Sequence, residues 1–413
     1  MKLQLKVISR LSAFRIDCNF KKTLLLIAYF TGVCSILTLI SSQGWLGAWS
    51  KMRLPSLHPY FADLRTIQGA IFSESAGFNP QQENPGDPWD RTMNYPSVWL
   101  NLARLLRLSE ESHFFVFGLI MVTVFIFSTA EMLRRFPSVL LLSLFFSGST
   151  LLAIERGNND LLIFSLIFIS LVLPKIWQPY IVFFAIGLKA YPIFSILSFS
   201  QNKKGWYATT FLFLIAAITL IPQYGNISRG NTGGGNLSYG IKANLQFFEK
   251  FRDTAFPYHG FSSAIILVGC LSLAFTLLLI CIWVVRKRII RALEISSDVV
   301  LIKEFQVRMF LAGAGIYCGT FVISANWDYR LIFLLFCIPL LQTTNHFVYR
   351  NVLPLLILVA MNLPLLELLP TKYGPLIGVL LNQFSKNFTF ILLSILLVQL
   401  VPIFSRIRRT VDN

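Results

Sequence analysis

Two stretches of this chain carry residue types that could do chemistry at a membrane. One is Glu155-Arg156-Gly157-Asn158-Asn159-Asp160, a polar knot that leads straight into the apolar run 161–173. The other is Gly187-Leu188-Lys189-Ala190-Tyr191-Pro192, which interrupts the apolar segment 177–199. An apolar segment broken by Gly and Pro, with a lysine at the break, has to line protein or water. Lipid satisfies neither a free backbone group nor an ammonium. Each half of the broken segment has about 12 residues, or ~18 Å at ~1.5 Å per residue, against ~30 Å of hydrocarbon. Lys189 has no carboxylate neighbour in sequence. A charge at half-depth is costly unless paired or wetted, so a bound phosphate is one natural partner.

Further polar residues fall on the face that charge patterning makes external: Asp63, Asp87, Asp90 and Arg91, then Asn326, Asp328 and Arg330. Each also has a plainer reading. Asp63 stands in the first turn of a helical pattern, where the helix dipole favours a carboxylate. Asn158, Asn159 and Asp160 are good N-caps for the helix that begins at Leu161, although capping does not call for Arg156. Asp328 and Arg330 can pair locally or mark the membrane edge. The Gly-rich stretch 229–236 lacks the Lys-Ser/Thr ending and the preceding strand of a P-loop, and reads as an external loop, either a linker or a lid. The histidines His58, His113, His259 and His346 are scattered, and no CxxC pair occurs among six cysteines. No metal site or other cofactor is signalled, though paired external carboxylates leave room for a divalent ion.

The chain of 413 residues is 55% hydrophobic and only 13% charged. Soluble domains carry roughly 25% charged residues. Apolar runs near 20 residues make this an all-α, polytopic membrane protein. The net charge of +17 would suggest nucleic acid in a soluble protein. Here the basic residues sit in short clusters between apolar runs, the positive-inside pattern, and nucleic acid is not an expected partner. The basic lead from Lys2 to Lys22 precedes an apolar run too long for a signal peptide, with no A-x-A site after it, so 23–40 is expected to be an uncleaved span.

About ten spans are expected: 23–40, 113–132, 137–154, 161–173, 206–222, 262–285, 308–324, 329–341, 351–369 and 387–404. Lys175 and Lys203-Lys204 both read as cytoplasmic, so 177–199 is expected to enter and turn back as a re-entrant hairpin. An ordinary kinked span is the competing reading, and it would place the basic run 286–291 outside. The segment 41–112 is external. Within it, 59–72 is expected to lie in the interface plane on Phe61, Leu64, Ile67, Ile71 and Phe72. A loop at 78–90 follows, and Pro96 opens a second interfacial helix to 108, on Val98, Leu102, Leu105 and Leu106. The whole chain, 1–413, is expected to be one membrane-embedded unit. Its motifs lie in 23–345 and further helices in 346–413. Both termini are expected in the cytoplasm, and the short loops suit a bacterial plasma membrane.

Three features together resemble the GT-C superfamily of integral-membrane glycosyltransferases. Within it, the chain looks most like glycosyltransferase family 87, which includes polyprenyl-phosphate-mannose-dependent mannosyltransferases. The first feature is Asp63 in His-Pro-Tyr-Phe-Ala-Asp-Leu just after the first span, followed by Asn94-Tyr95-Pro96. The second is Arg156 to Asp160 leading an apolar helix, followed by Gly187 to Pro192. The third is Asp328-Tyr329-Arg330-Leu331 before a late span. The first loop matches only loosely, so Asp87 and Asp90 stay open beside Asp63 as the base.

The resemblance implies transfer of a hexosyl group, mannosyl-like, from a polyprenyl-phosphate donor to a hydroxyl of a lipid or glycan acceptor on the external face. It implies Asp63 as general base, with Lys189, Arg156 and Arg330 on the donor phosphate. Asn158, Asp160, Tyr95, Tyr191 and Asp328 would hold sugar or acceptor. The interfacial helices would admit the polyprenyl chain from the surrounding membrane lipids. The alternative is a lipid or sugar transporter or flippase of an envelope-polysaccharide system. Broken helices and a mid-depth lysine suit that too, but the sequence shows no second half with a matching break. A non-catalytic partner in such a system is the third reading.

Overall fold

The computed structural model describes residues 18–174, 176–199, 211, 214–215, 237–244, 246, 304–323, 325–362 and 374–407. The basic lead up to residue 17, most of the span expected at 206–222, the span expected at 262–285, the Gly-rich stretch 229–236, and the flanks Lys175, Lys203 and Lys204 lie outside the described residues. The described part is mostly helical with a single two-residue ladder. Five of its helices are long and apolar enough to cross a membrane: Asn19–Lys51, Glu111–Arg135, Val139–Arg156, Glu304–Ile323 and Gly378–Val401.

Helix α1 (Cys18–Lys51) is broken at Gly44, whose φ of 69° leaves the helical region. It exposes Phe20, Leu24, Ile27 and Leu37, as suits a helix facing lipid. Two short helices follow, α2 (Ala62–Ser75) and α3 (Val98–Leu105), before the long α4 (Glu111–Arg135). The span expected at 137–154 forms as two pieces, α5 (Val139–Phe145) and α6 (Gly148–Arg156). A serine stands before each piece and its hydroxyl accepts a backbone N–H: Ser138 from Leu141 at 3.3 Å and Ser147 from Thr150 at 3.4 Å. Helix α6 ends at Gly157 in the left-handed region, φ 55°.

Helices α7 (Asp160–Val172) and α8 (Gln178–Leu188) are 13 and 11 residues long. At ~1.5 Å per residue neither crosses a ~30 Å core. They pack on each other as an antiparallel pair, with the end of α8 beside the start of α7. A 3-10 helix, Tyr191–Phe199, then packs on α9 (Glu304–Ile323). Gly315 and Gly319 of α9 permit that approach, since a Cβ on Gly319 would lie 2.3 Å from the Phe194 ring. Residues 200–210, which would show whether the segment turns back, lie outside the described residues.

Strands β1 (Ser238–Tyr239) and β2 (Asn326–Trp327) pair antiparallel, Ser238 with Trp327 and Tyr239 with Asn326. The span expected at 329–341 is a 3-10 helix, Asp328–Cys337, running into the short α10 (Ile338–Leu341). A π turn, Val348–Val352, leads into α11 (Leu353–Met361), and α12 (Gly374–Ile407) packs on both α9 and α11. The core is aromatic. Phe164 of α7 stacks on Phe336 at 4.4 Å and meets Phe125 of α4 edge-on at 5.1 Å. Such pairs contribute about 0.5–1.5 kcal/mol beyond area burial. Between membrane helices, close packing of this kind replaces the hydrophobic drive.

The two helices expected in the interface plane pack differently from one another. Helix α2 buries polar as well as apolar positions. It is buried on nearly every side, including Arg65, Thr66 and Gln68, and of the expected apolar row Phe72 alone is exposed. Arg65 is taken up by Glu111 at 2.5 Å and by the Phe114 ring at 4.5 Å. Helix α3 packs through Trp99, Leu100 and Ala103, whereas Val98 and Leu105 of the expected face are exposed. The cause is the indole, whose Nε1 donates to the Leu188 carbonyl at 2.8 Å and turns that side inward.

Candidate active site

The site is built from the backbone around Phe61. This residue adopts left-handed geometry, φ 58°, at the N-cap of α2. Its ring is wedged between α4 and the end of α6. A Cβ on Gly118 would lie 2.5 Å from that ring, and one on Gly157 would lie 2.7 Å from the Phe61 Cβ. The turn delivers Asp63, two residues on, into the first turn of α2. Asp63 Oδ1 accepts from Arg91 Nη1 at 3.2 Å, and Oδ2 accepts from Asn158 Nδ2 at 2.5 Å. Two donors fix the carboxylate and leave lone pairs for a ligand.

Arg91 is itself held. Asp87 accepts from its Nε at 3.0 Å, from its Nη2 at 2.9 Å and from its backbone N–H at 3.0 Å. The Ala62 carbonyl accepts from Nη2 as well, and the Trp89 ring lies 4.5 Å away. Asp87 is buried and also takes the Thr66 hydroxyl and the Trp89 N–H, each at 3.1 Å. Burial works against the Arg91 charge, but the hydrogen bond to Asp87 and the charges of Asp63 and Asp87 outweigh it and push its pKa up. The loop that carries these residues docks on α2 through Gly86, where a Cβ would lie 2.3 Å from the Gly69 carbonyl oxygen. Asp90 is exposed.

Behind this wall lies the polar knot. Asn158 Oδ1 accepts from the Asp160 N–H at 2.8 Å and from Lys189 Nζ at 3.3 Å, so one amide joins Asp63, α7 and Lys189. Asp160 is fully buried. It accepts from Lys189 Nζ, from the Tyr191 hydroxyl at 2.7 Å and from Arg330 Nε at 3.3 Å. Arg330 also donates to Asn326 and lies 4.3 Å over the Tyr191 ring. One expectation is refined here. Lys189 does have a carboxylate partner, Asp160, so a phosphate is not needed to neutralise it. It sits beside the start of α7. Asn159 stands at the N-cap of α7 without capping it, and both polar atoms of its side chain are buried without a partner among the described residues.

A cavity of about 250 Å³ opens in front of Asp63. Its wall includes Asp63, Arg91, Tyr95, Arg156, Trp327 and Tyr329. Of the residues expected in the site, Asp63, Tyr95 and Arg156 therefore reach the cavity. Asn158, Asp160, Lys189, Tyr191 and Arg330 form a buried layer beside it. Arg156 donates from Nη2 to the Pro55 carbonyl at 3.1 Å and pairs through Nε with buried Glu155 at 3.1 Å. Its Nη1 is uncommitted among the described residues. Burial, with the charge of Asp63, pushes the Tyr95 hydroxyl well above its usual pKa, so it acts as a neutral hydrogen-bonding group.

Asp328 does not share this cavity. It is enclosed and pairs with Lys386 of α12 at 2.8 Å, and Lys386 also donates to the Ser238 carbonyl at 3.2 Å. A sugar or acceptor contact expected at Asp328 is thus replaced by an internal ion pair. Sequence reasoning missed Lys386, which stands one residue before the span expected at 387–404 and looks like a flank. It also missed the role of Arg91, whose one local signal is its place four residues after Asp87. Among the described residues no three His, Cys, Asp or Glu side chains gather as a metal site. The carboxylates best placed to share an ion, Asp63 and Asp87, share the Arg91 guanidinium instead.

The arrangement can orient a hydroxyl for deprotonation at Asp63 and hold an anion at Arg156. Compared with protein-family models, with curated proteins and with solved structures, the chain matches none.

Proposed function

We propose that this chain is a membrane glycosyltransferase of the GT-C type, moving a hexosyl group from a polyprenyl-phosphate donor to an acceptor hydroxyl. The observation that carries this reading is Asp63 on the wall of a cavity of about 250 Å³, fixed by Arg91 and Asn158, with Arg156 in the same wall. Asp63 takes the acceptor proton as the hydroxyl oxygen attacks C1 of the sugar. The C1–O bond to phosphate breaks, and its electron pair leaves with the phosphate. Arg156 meets that growing charge directly. Lys189 and Arg330, two cations against the single Asp160 carboxylate, add positive potential from behind the wall. Asn158 and Tyr95 hold hydroxyls. The donor chain lies in the bilayer, and transfer takes place on the external side of a plasma membrane, with both termini in the cytoplasm.

The test is made on purified protein in lipid, given a panel of polyprenyl-phosphate sugars and a membrane lipid extract, with products read by mass spectrometry. A glycosylated product that vanishes in Asp63→Asn is expected. Transfer at the wild-type rate in that variant would overturn Asp63 as base. Movement of lipid-linked sugar across the bilayer with no product would favour the transporter reading, which the break between α8 and the 3-10 helix also suits.

A further inference from the structure

The mechanism above leaves two rings in the cavity wall without a task, Trp327 and Tyr329. They flank Asp328 at the step from β2 into the 3-10 helix. Trp327 ends β2 opposite Ser238, and the Asp328 N–H donates to the Leu237 carbonyl at 3.0 Å. Asp328 pairs with enclosed Lys386, while its two neighbours line the cavity. The rings are near parallel, 14° between planes with centroids 6.4 Å apart. Around them Thr92, Asn94 and Tyr95 offer hydrogen-bonding groups to the same cavity.

A flat aromatic surface edged by polar groups suits a pyranose. One face of the sugar presents polarised C–H groups, which the electron-rich face of an aromatic ring attracts, and its rim carries hydroxyls that need partners. The cavity volume of about 250 Å³ fits one ring rather than several. The donor is the better source of that ring, because the phosphate is one bond from C1 and Arg156, with Nη1 uncommitted among the described residues, lines the same space.

Resting on the transferase reading, we propose that Trp327 and Tyr329 form the platform for the donor's sugar ring. The enclosed Asp328–Lys386 pair holds the stretch between them, and the platform sets which sugar is accepted. Trp327 is then a specificity-determining residue outside the charged machinery.

The experiment measures binding of full-length protein in lipid nanodiscs to mannosyl, glucosyl and galactosyl polyprenyl phosphates, and to polyprenyl phosphate without a sugar. Wild type is expected to bind at least one sugar-bearing lipid more tightly than the bare phosphate. W327A should lose about tenfold on that lipid and nothing on the bare phosphate, whereas W327F should keep most of the preference. W327L, which keeps bulk without a π face, gives the same comparison should W327A fail to fold. Equal losses on both kinds of lipid, or no loss on either, would overturn the platform alone. Unchanged donor affinity with slowed turnover would place the acceptor there and overturn the donor assignment. A wild type that binds no polyprenyl phosphate, with or without sugar, would overturn the transferase reading and the platform with it.

Discussion

Two of the aspartate–cation pairs in this protein, similar in length, lie in very different surroundings. Asp328 and Lys386 meet at 2.8 Å with both side chains fully enclosed. Asp63 and Arg91 meet at 3.2 Å with side chains 13% and 32% exposed, on the wall of a cavity. In the first pair the low dielectric strengthens attraction but makes desolvation expensive, so losing one partner strands a buried charge. In the second, water can take over what a missing partner leaves. Pairing by itself therefore does not mark a site. Access does: Asp328 serves the fold, while Trp327 and Tyr329 on either side of it line the cavity.

The sharpest way to break this contrast is at Asp63. Asp63→Asn should cut sugar transfer by about 10²–10⁴-fold. Its thermal unfolding in detergent should show a change in stability below about 1 kcal/mol. The mirror experiment is Lys386→Met, expected to cost about 3–5 kcal/mol of stability by stranding Asp328. Adding Asp328→Leu should restore much of that loss in the same melt, and failure to restore it would show that the pair is not what holds β2 to α12. Smaller is the effect of Arg91→Ala, about 10–100-fold on turnover with little change in KM, if the guanidinium orients the base and does not bind substrate. Arg91→Lys should recover only part, because an ammonium cannot make the two-pronged grip on Asp87. Smallest is Trp99→Phe, which removes the donor to Leu188 and should lower stability by about 1 kcal/mol with transfer intact.

What the sequence disclosed about these regions follows from the range of the forces involved. Apolar runs are local, so the membrane class and five long helices could be read directly. Breaks at Gly and Pro were legible for the same reason. Asp63, Arg156 and Asp328 stood out as polar residues at the ends of apolar segments. Which of them meet did not show, because Asp63 meets Asn158 across 95 residues, Lys189 meets Asp160 across 29, and Asp328 meets Lys386 across 58. No periodicity encodes such meetings. Burial of α2 was hidden because its polar positions, Arg65 and Gln68, look solvent-facing until Glu111 is placed beside them.

The wedge of Phe61 between Gly118 and Gly157 has a consequence for tolerance to substitution. Neither glycine touches the cavity, and neither carries a polar atom beyond its backbone. An alanine at either position must displace the ring that fixes where α2 begins, and at Gly157 it must also accept a left-handed backbone costing about 1–2 kcal/mol. The displacement is felt two residues on, at the carboxylate. A map of replaceable positions would thus show two intolerant sites with no chemistry of their own, one of them inside a long apolar helix where any small residue looks acceptable. Mutational scanning of this protein should find the boundary of its site drawn by glycines as firmly as by acids.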